Sequence, residues 1–176
     1  MARQQKPAIT EISTPAAAQK SLFERVAGYL DANDWNFTAN EEKSFFSMGC
    51  RIKDASVRVV LDVAESDDWG RVLTYSTFPV YVPEHRRTAV AECLARINYV
   101  MVFGNLEMDL KDGEVRVRTV VEAYGELGDA LIERVLNSNL GTTDRYFAPI
   151  LAVAFGNAAP ETVLDLVAKD ENSTLQ

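Results

Sequence analysis

Residues 106–119 constrain the fold more tightly than any other stretch of the chain. Leu106, Met108 and Leu110 alternate with Glu107 and Asp109, and Val115, Val117 and Thr119 alternate with Arg116 and Arg118. Apolar and polar residues in strict alternation mark strands with one buried face. Asp112-Gly113 lies between the two runs, and such a pair is the usual type I′ hairpin turn. A two-residue loop there sets the register by arithmetic. Asp109 is expected opposite Arg116 and Glu107 opposite Arg118 on the polar side. Leu110 then faces Val115, and Met108 faces Val117, on the apolar side. Each exposed ion pair contributes about 0.2–1 kcal/mol, so the charges favour one register more than they stabilise the chain.

Further strands precede this hairpin. Phe46, Met48, Cys50 and Ile52 alternate with Ser47 and Arg51; Val57, Val59, Leu61 and Val63 alternate with Arg58 and Asp62. Lys53–Ser56 and Ser66–Gly70 read as the turns that follow these two runs. Val72–Tyr81 is rich in Val, Thr, Tyr and Phe and reads as a third strand, with Pro79 suggesting an edge or a frayed end.

Helical spacing accounts for the rest. Ser21 and Glu24 form a capping box before Leu22, Phe23, Val26, Tyr29 and Leu30; Trp35 and Phe37 then pack the chain back onto the core. Pro83-Glu84 opens a second helix whose buried stripe is Val90, Cys93, Leu94, Ile97 and Met101. Past Asn98 it becomes apolar all round, which implies cover on more than one side, until Gly104 ends it. Asp129–Asn137 is a third helical run, broken at Asn137-Ser138-Asn139-Leu140-Gly141. Thr143 or Asp144 caps the next, which reaches about Phe155, and Pro160 starts a short last helix. The expected fold is α+β: an antiparallel five-stranded sheet with helices packed on one face, in the order α-β-β-β-α-β-β-α-α.

Composition narrows the functional classes. The chain of 176 residues carries 18 Lys and Arg against 26 Asp and Glu, a formal charge of −8. A chain this acidic, with no basic run, is a poor partner for nucleic acid or an anionic membrane. No apolar run reaches the roughly 18 residues of a membrane span, and the first residues lead into no apolar signal region. Two cysteines and no export signal point to free thiols in a cytoplasmic protein. One domain is expected over residues 21–168. Residues 1–20 read as a disordered N-terminal tail and 169–176 as a C-terminal tail.

Groups able to do chemistry are sparse. His85 is the only histidine and falls on an exposed first turn. Cys50 and Cys93 lie on apolar faces, where a thiol is inert. No metal-ligand spacing, nucleophile elbow or phosphate loop is present. Glu41-Glu42 and Asp67-Asp68 read as solvated turn residues. Glu107 and Asp109 have cationic partners that would keep both ionised. Asp144, beside Arg145 and Tyr146, reads as a helix cap. The chain is therefore expected not to be an enzyme, and no cofactor or metal is implied.

Apolar surface is in surplus. Tyr99–Phe103 together with Tyr75, Phe78, Tyr81, Tyr146 and Phe147 exceeds what one face of a small sheet requires. Tyr99, Met101, Phe103 and Tyr146 are the candidate dimer or partner surface.

The run INYVMVFGNLEMDLKDGEVRVR, residues 97–118, resembles the YbjN family of bacterial proteins through Asn98, Gly104, Glu107, Asp109 and Gly113. DRYFAPILAVAFG, residues 144–156, resembles that family's second block through Asp144, Tyr146, Pro149 and Gly156. The resemblance covers about residues 21–168. It implies a fold similar to type III secretion chaperones, which are small, acidic, cytosolic and usually homodimeric, and which hold partner polypeptides in extended form. It also implies the family's description as sensory transduction regulators. The leading expectation is a non-enzymatic, homodimeric protein-binding module that holds a partner segment on a sheet edge or in a groove. One alternative is a small-ligand sensor with a pocket between sheet and helices lined by Met48, Tyr75 and Met108. The other is an enzyme built around Asp144, Arg145 or His85.

Overall fold

The first helix, α1 (Leu22–Ala32), starts as its capping box dictates. Ser21 Oγ accepts the Glu24 N–H at 3.1 Å, and the Glu24 carboxylate accepts the Ser21 N–H at 2.8 Å. Leu22, Val26 and Leu30 are its buried stripe. The structure, a computed structural model, describes residues 20–174; residues 1–19, within the expected N-terminal tail, lie outside them.

Trp35 and Phe37 do pack against the core, but Phe37 also opens a strand. β1 (Phe37–Asn40) pairs with β2 (Phe45–Arg51), so the sheet has six strands where five were expected. Four residues with two exposed members carry too short a period to read. What holds them is tertiary: the Phe46 ring stacks on Phe23 with centroids 4.4 Å apart and meets Phe37 edge-on at 5.6 Å.

β3 (Ser56–Glu65), β4 (Trp69–Tyr81), β5 (Asn105–Met108) and β6 (Glu114–Tyr124) complete an antiparallel sheet in the order β1-β2-β3-β4-β6-β5. Phe46, Met48, Val59, Leu61, Val72 and Val117 point to one face, where α1, α2 (Arg87–Val100) and α3 (Asp129–Ala154) cover them. α4 (Val163–Thr174) packs on α2 and α3 and extends into the expected C-terminal tail. The other face of the sheet carries no helix among the described residues. Pro79 lies on a central strand, not an edge, but close to that strand's end, past Thr77, the last β4 residue paired with β3. Its missing N–H falls between Thr77 and Tyr81, where the β4–β6 register shifts and the ladder is already interrupted.

The hairpin forms, but two residues out of the expected register. Glu107 faces Arg116 and Met108 faces Val115. The cause is the turn. A type I′ turn needs positive φ at both central residues; Gly113 has φ +90°, while Asp112 is not among the positive-φ residues. Residues 110–113 instead make a four-residue loop. It is closed by the Asp109 N–H donating to the Glu114 carbonyl at 2.9 Å and the Gly113 N–H donating to the Asp109 carbonyl at 2.8 Å. A two-residue shift leaves every side chain on its intended face, so Leu106, Val115 and Val117 are buried as expected. Leu110, at the loop, is exposed instead of facing Val115.

The expected break at residues 137–141 is absent, and α3 runs unbroken through it. Asn139 is fully buried there. Its side-chain amide donates to the Thr74 carbonyl (3.1 Å), the Val117 carbonyl (3.2 Å) and Thr119 Oγ1 (3.1 Å), and its carbonyl oxygen accepts from the Ser76 hydroxyl. Residues that favour turns when solvated thus become the bolt between helix and sheet. Gly141 costs about 1 kcal/mol relative to Ala in a helix, less than this network returns.

Candidate functional site

α2 stops at Val100, short of the end its apolar run suggested. The segment that follows is not wrapped by protein on all sides. Tyr99 is 91% exposed, Val100 49% and Val102 101%, while Met101 and Phe103 are half-buried. Together they form an apolar ridge between α2 and β5.

A groove lies on each side of the ridge. One, of about 410 Å³, is lined by Met101, Phe103, Ser138, Thr142, Arg145 and Tyr146 among others. The second, of about 420 Å³, is lined by Glu92, Arg96, Tyr99, Glu161 and Leu164. Val100 borders both. Of the four surface candidates, Met101, Phe103 and Tyr146 therefore share a groove, whereas Tyr99 faces the other. Tyr146 is its floor, only 6% exposed. Beside this groove the Arg145 guanidinium lies 5.5 Å from the Tyr146 ring centre and that of Arg134 lies 5.7 Å from the Phe103 ring centre. In the other groove Glu92 pairs with Arg96 at 2.6 Å, leaving Glu161 as surplus negative charge.

The residues that carried the family resemblance build this edge. Asn98 uses both ends of its amide: Nδ2 donates to the Leu106 carbonyl at 2.9 Å, and Oδ1 accepts the Leu106 N–H at 2.8 Å. That clamps β5 to α2 and occupies the outward backbone groups of an edge strand, so β5 is closed to strand addition at Leu106. Gly104 turns the chain at φ +79°, where a Cβ would stand 2.6 Å from the Thr119 side chain. Glu107 accepts from Arg116 at 2.8 Å and lies 3.5 Å from Arg118. Burial alone would raise its pKa. Hydrogen bonds from Asn105 and Arg116, with the charges of Arg116 and Arg118, outweigh that and hold it below the usual carboxylate value.

Sequence reasoning missed the two arginines beside His85. Arg87 donates to the carbonyls of Val82, Leu110, Lys111 and Asp112 at 2.9–3.2 Å, gathering the hairpin loop onto the start of α2. Arg86 does the same for the end of α3 through the Val153 and Ala158 carbonyls. An Arg-Arg pair after a Pro carries no sequence signal for either role, because the carbonyls are distant along the chain.

The groups weighed for catalysis are dispersed. His85 is exposed. Cys50 and Cys93 are buried free thiols; burial raises both, and burial with the Glu92 charge pushes Cys93 up to about 12. Asp144 is inside α3, not at its start, and accepts the Lys53 N–H at 2.7 Å, tying the helix to the β2–β3 turn. No group of three metal-ligating side chains converges among the described residues. The expected ligand pocket does not form from its three members: Met48 and Met108 lie on the helix side of the sheet, whereas Tyr75 lies on the opposite face.

No helix among the described residues is long and apolar enough to cross a membrane. A search of curated proteins finds no match. The YbjN family model, described as "Putative bacterial sensory transduction regulator", matches residues 22–152. That span takes in α1, the whole sheet, α2, the ridge and nearly all of α3, so the chain belongs to the YbjN family.

Proposed function

We propose that this YbjN-family chain is a non-enzymatic regulatory module that docks polypeptide on the Tyr99–Phe103 ridge, and that the occupant is a second copy of itself. The observation that carries this reading is the ridge: contiguous apolar side chains in solvent, bordered by a groove on each side. An isologous contact brings the same patch of both copies together. With the two-fold axis along the ridge, the Glu161 side of one copy lies over the Arg134 side of the other. Ridge then packs on ridge, desolvating apolar surface at a charge-matched rim.

The structural employment of Asp144, the burial of both thiols and the isolation of His85 support a regulatory rather than a catalytic role. The acidic charge and the helix-backed antiparallel sheet support a mode of action similar to that of secretion chaperones, in which the dimer holds a partner segment. The Asn98 clamp on β5 argues against that strand edge as the place where the segment is held.

The test is light scattering coupled to gel filtration on the full chain and on a Tyr99→Ser, Val102→Asp double variant. A wild-type dimer and a folded, monomeric variant are expected. A monomeric wild type over the whole accessible concentration range overturns the dimer, as does a variant that still dimerises.

A further inference from the structure

The sheet face opposite the helices bears a third groove, which shares no lining residue with the two beside the ridge. It has a volume of about 500 Å³ and lies over β3, β4 and β6 at the point where the β4–β6 register shifts. The volume falls within the roughly 300–1,000 Å³ usual for small-ligand sites. The shift places three β4 residues, 78–80, opposite Val115 alone. Such irregularities bend a strand and re-aim its side chains; here Pro79 and Tyr81 are turned outward and exposed.

The chemistry around the groove is two-sided. Arg58, Thr77 and Arg116 stand in one row across β3, β4 and β6. Arg116 is already committed: it pairs with Glu107 at 2.8 Å and lies 4.4 Å from the Tyr75 ring centre. Arg58 on one wall and Glu114 on the other make no ion pair among the described residues. Two charges of opposite sign thus border one cavity, Glu114 also lying within the field of Arg116, with the Thr77 hydroxyl between them and Tyr81 and Pro79 as an apolar wall.

We infer that this groove binds a small amphoteric ligand of the free amino-acid class: a carboxylate held by Arg58 and Thr77, an ammonium group held by Glu114, and an aromatic or apolar side chain laid against Tyr81 and Pro79. A ligand carrying both charges satisfies both walls, whereas a simple anion leaves Glu114 opposed and a simple cation leaves Arg58 opposed.

Calorimetric titration of the full chain with L-phenylalanine, phenylacetate and phenethylamine tests this, since the last two probes each lack one charge. L-phenylalanine is expected to bind at least about tenfold more tightly than either. Arg58→Gln and Glu114→Gln are each expected to abolish that advantage, with Arg58→Lys restoring part of it and thermal unfolding unchanged. No detectable binding of L-phenylalanine overturns the inference. So does phenylacetate binding equally well, which would make the groove a plain anion site, or full binding by Glu114→Gln. The Tyr99→Ser, Val102→Asp variant, altered only at the ridge, should bind L-phenylalanine like the wild type, so failure at either surface is read separately.

Discussion

Gly113 meets the Val82 backbone so closely that a Cβ would stand 2.3 Å from the Val82 carbonyl oxygen, and its φ of +90° disfavours any L side chain. Gly113→Ala should cost about 1–3 kcal/mol, read as a lower urea midpoint with an unchanged slope. Asn139 acts through hydrogen bonds instead of backbone conformation. Asn139→Leu leaves the Thr74 and Val117 carbonyls without its donor and the Ser76 hydroxyl without its acceptor. A loss of about 3 kcal/mol is expected from the same measurement, given roughly 1–3 kcal/mol for each orphaned buried group. Cys93 links a single residue to pH. Its folded pKa of about 12 stands above the ordinary value of 9.0, so the native state keeps a proton that the unfolded chain loses. Its stabilising contribution is complete below about pH 9 and declines as pH rises toward 12. Denaturation midpoints compared across that window should fall more steeply for wild type than for Cys93→Ala.

The β5–β6 hairpin is the element on which the most independent interactions converge. Its loop carbonyls depend on the Arg87 fork, a geometry that a lysine ammonium does not reproduce. Arg87→Lys should therefore behave much like Arg87→Ala, each losing about 1.5–3 kcal/mol, with faster amide exchange concentrated at residues 106–117. Glu107 sets the acid response of the same element. Its pKa is held low in the fold, so its contribution is intact above the ordinary carboxylate range and is lost as pH falls through the depressed value. Acidification should loosen β5 before the central strands, and Glu107→Gln should remove that selectivity in hydrogen-exchange profiles. The hairpin also shows how a local reading goes astray. Alternation placed the strand residues on the right faces, and Asp112-Gly113 does fall within the loop, but the loop is four residues long and takes in Leu110. The register still moved by two, because Arg87 and Val82 stabilise a longer loop than the dipeptide favours by itself.

At the scale of the whole molecule, one face of a six-stranded sheet is buried under helices, while among the described residues the ridge is exposed and the other face carries no helix. Tyr99 and Val102 make so little contact within the chain that Tyr99→Ser, Val102→Asp should shift stability by no more than about 0.5 kcal/mol. Any larger effect on thermal unfolding that depends on protein concentration would report an assembly rather than the fold. The apolar surplus of residues 99–103 was legible from sequence, but its division between two grooves was not, since that depends on where α3 and α4 come to lie. The charged groove on the open face was equally hidden: Arg58, Thr77 and Glu114 are neighbours only through the strand order. What the sequence determined alone was whatever depends on near neighbours: the α1 capping box, the alternation of β2, β3 and the hairpin, the β-forming composition of β4, the buried stripe of α2 from Val90 to Ile97 though not Met101, and the α+β class with helices on one face. Tertiary structure decided the sixth strand, the continuity of α3 through Asn139, the hairpin register and the course of the ridge. The physical reason is common to all four. In each, a weak local preference is outweighed by ring contacts or buried hydrogen bonds between residues far apart in the chain, and those exist only once the sheet and its helices have met.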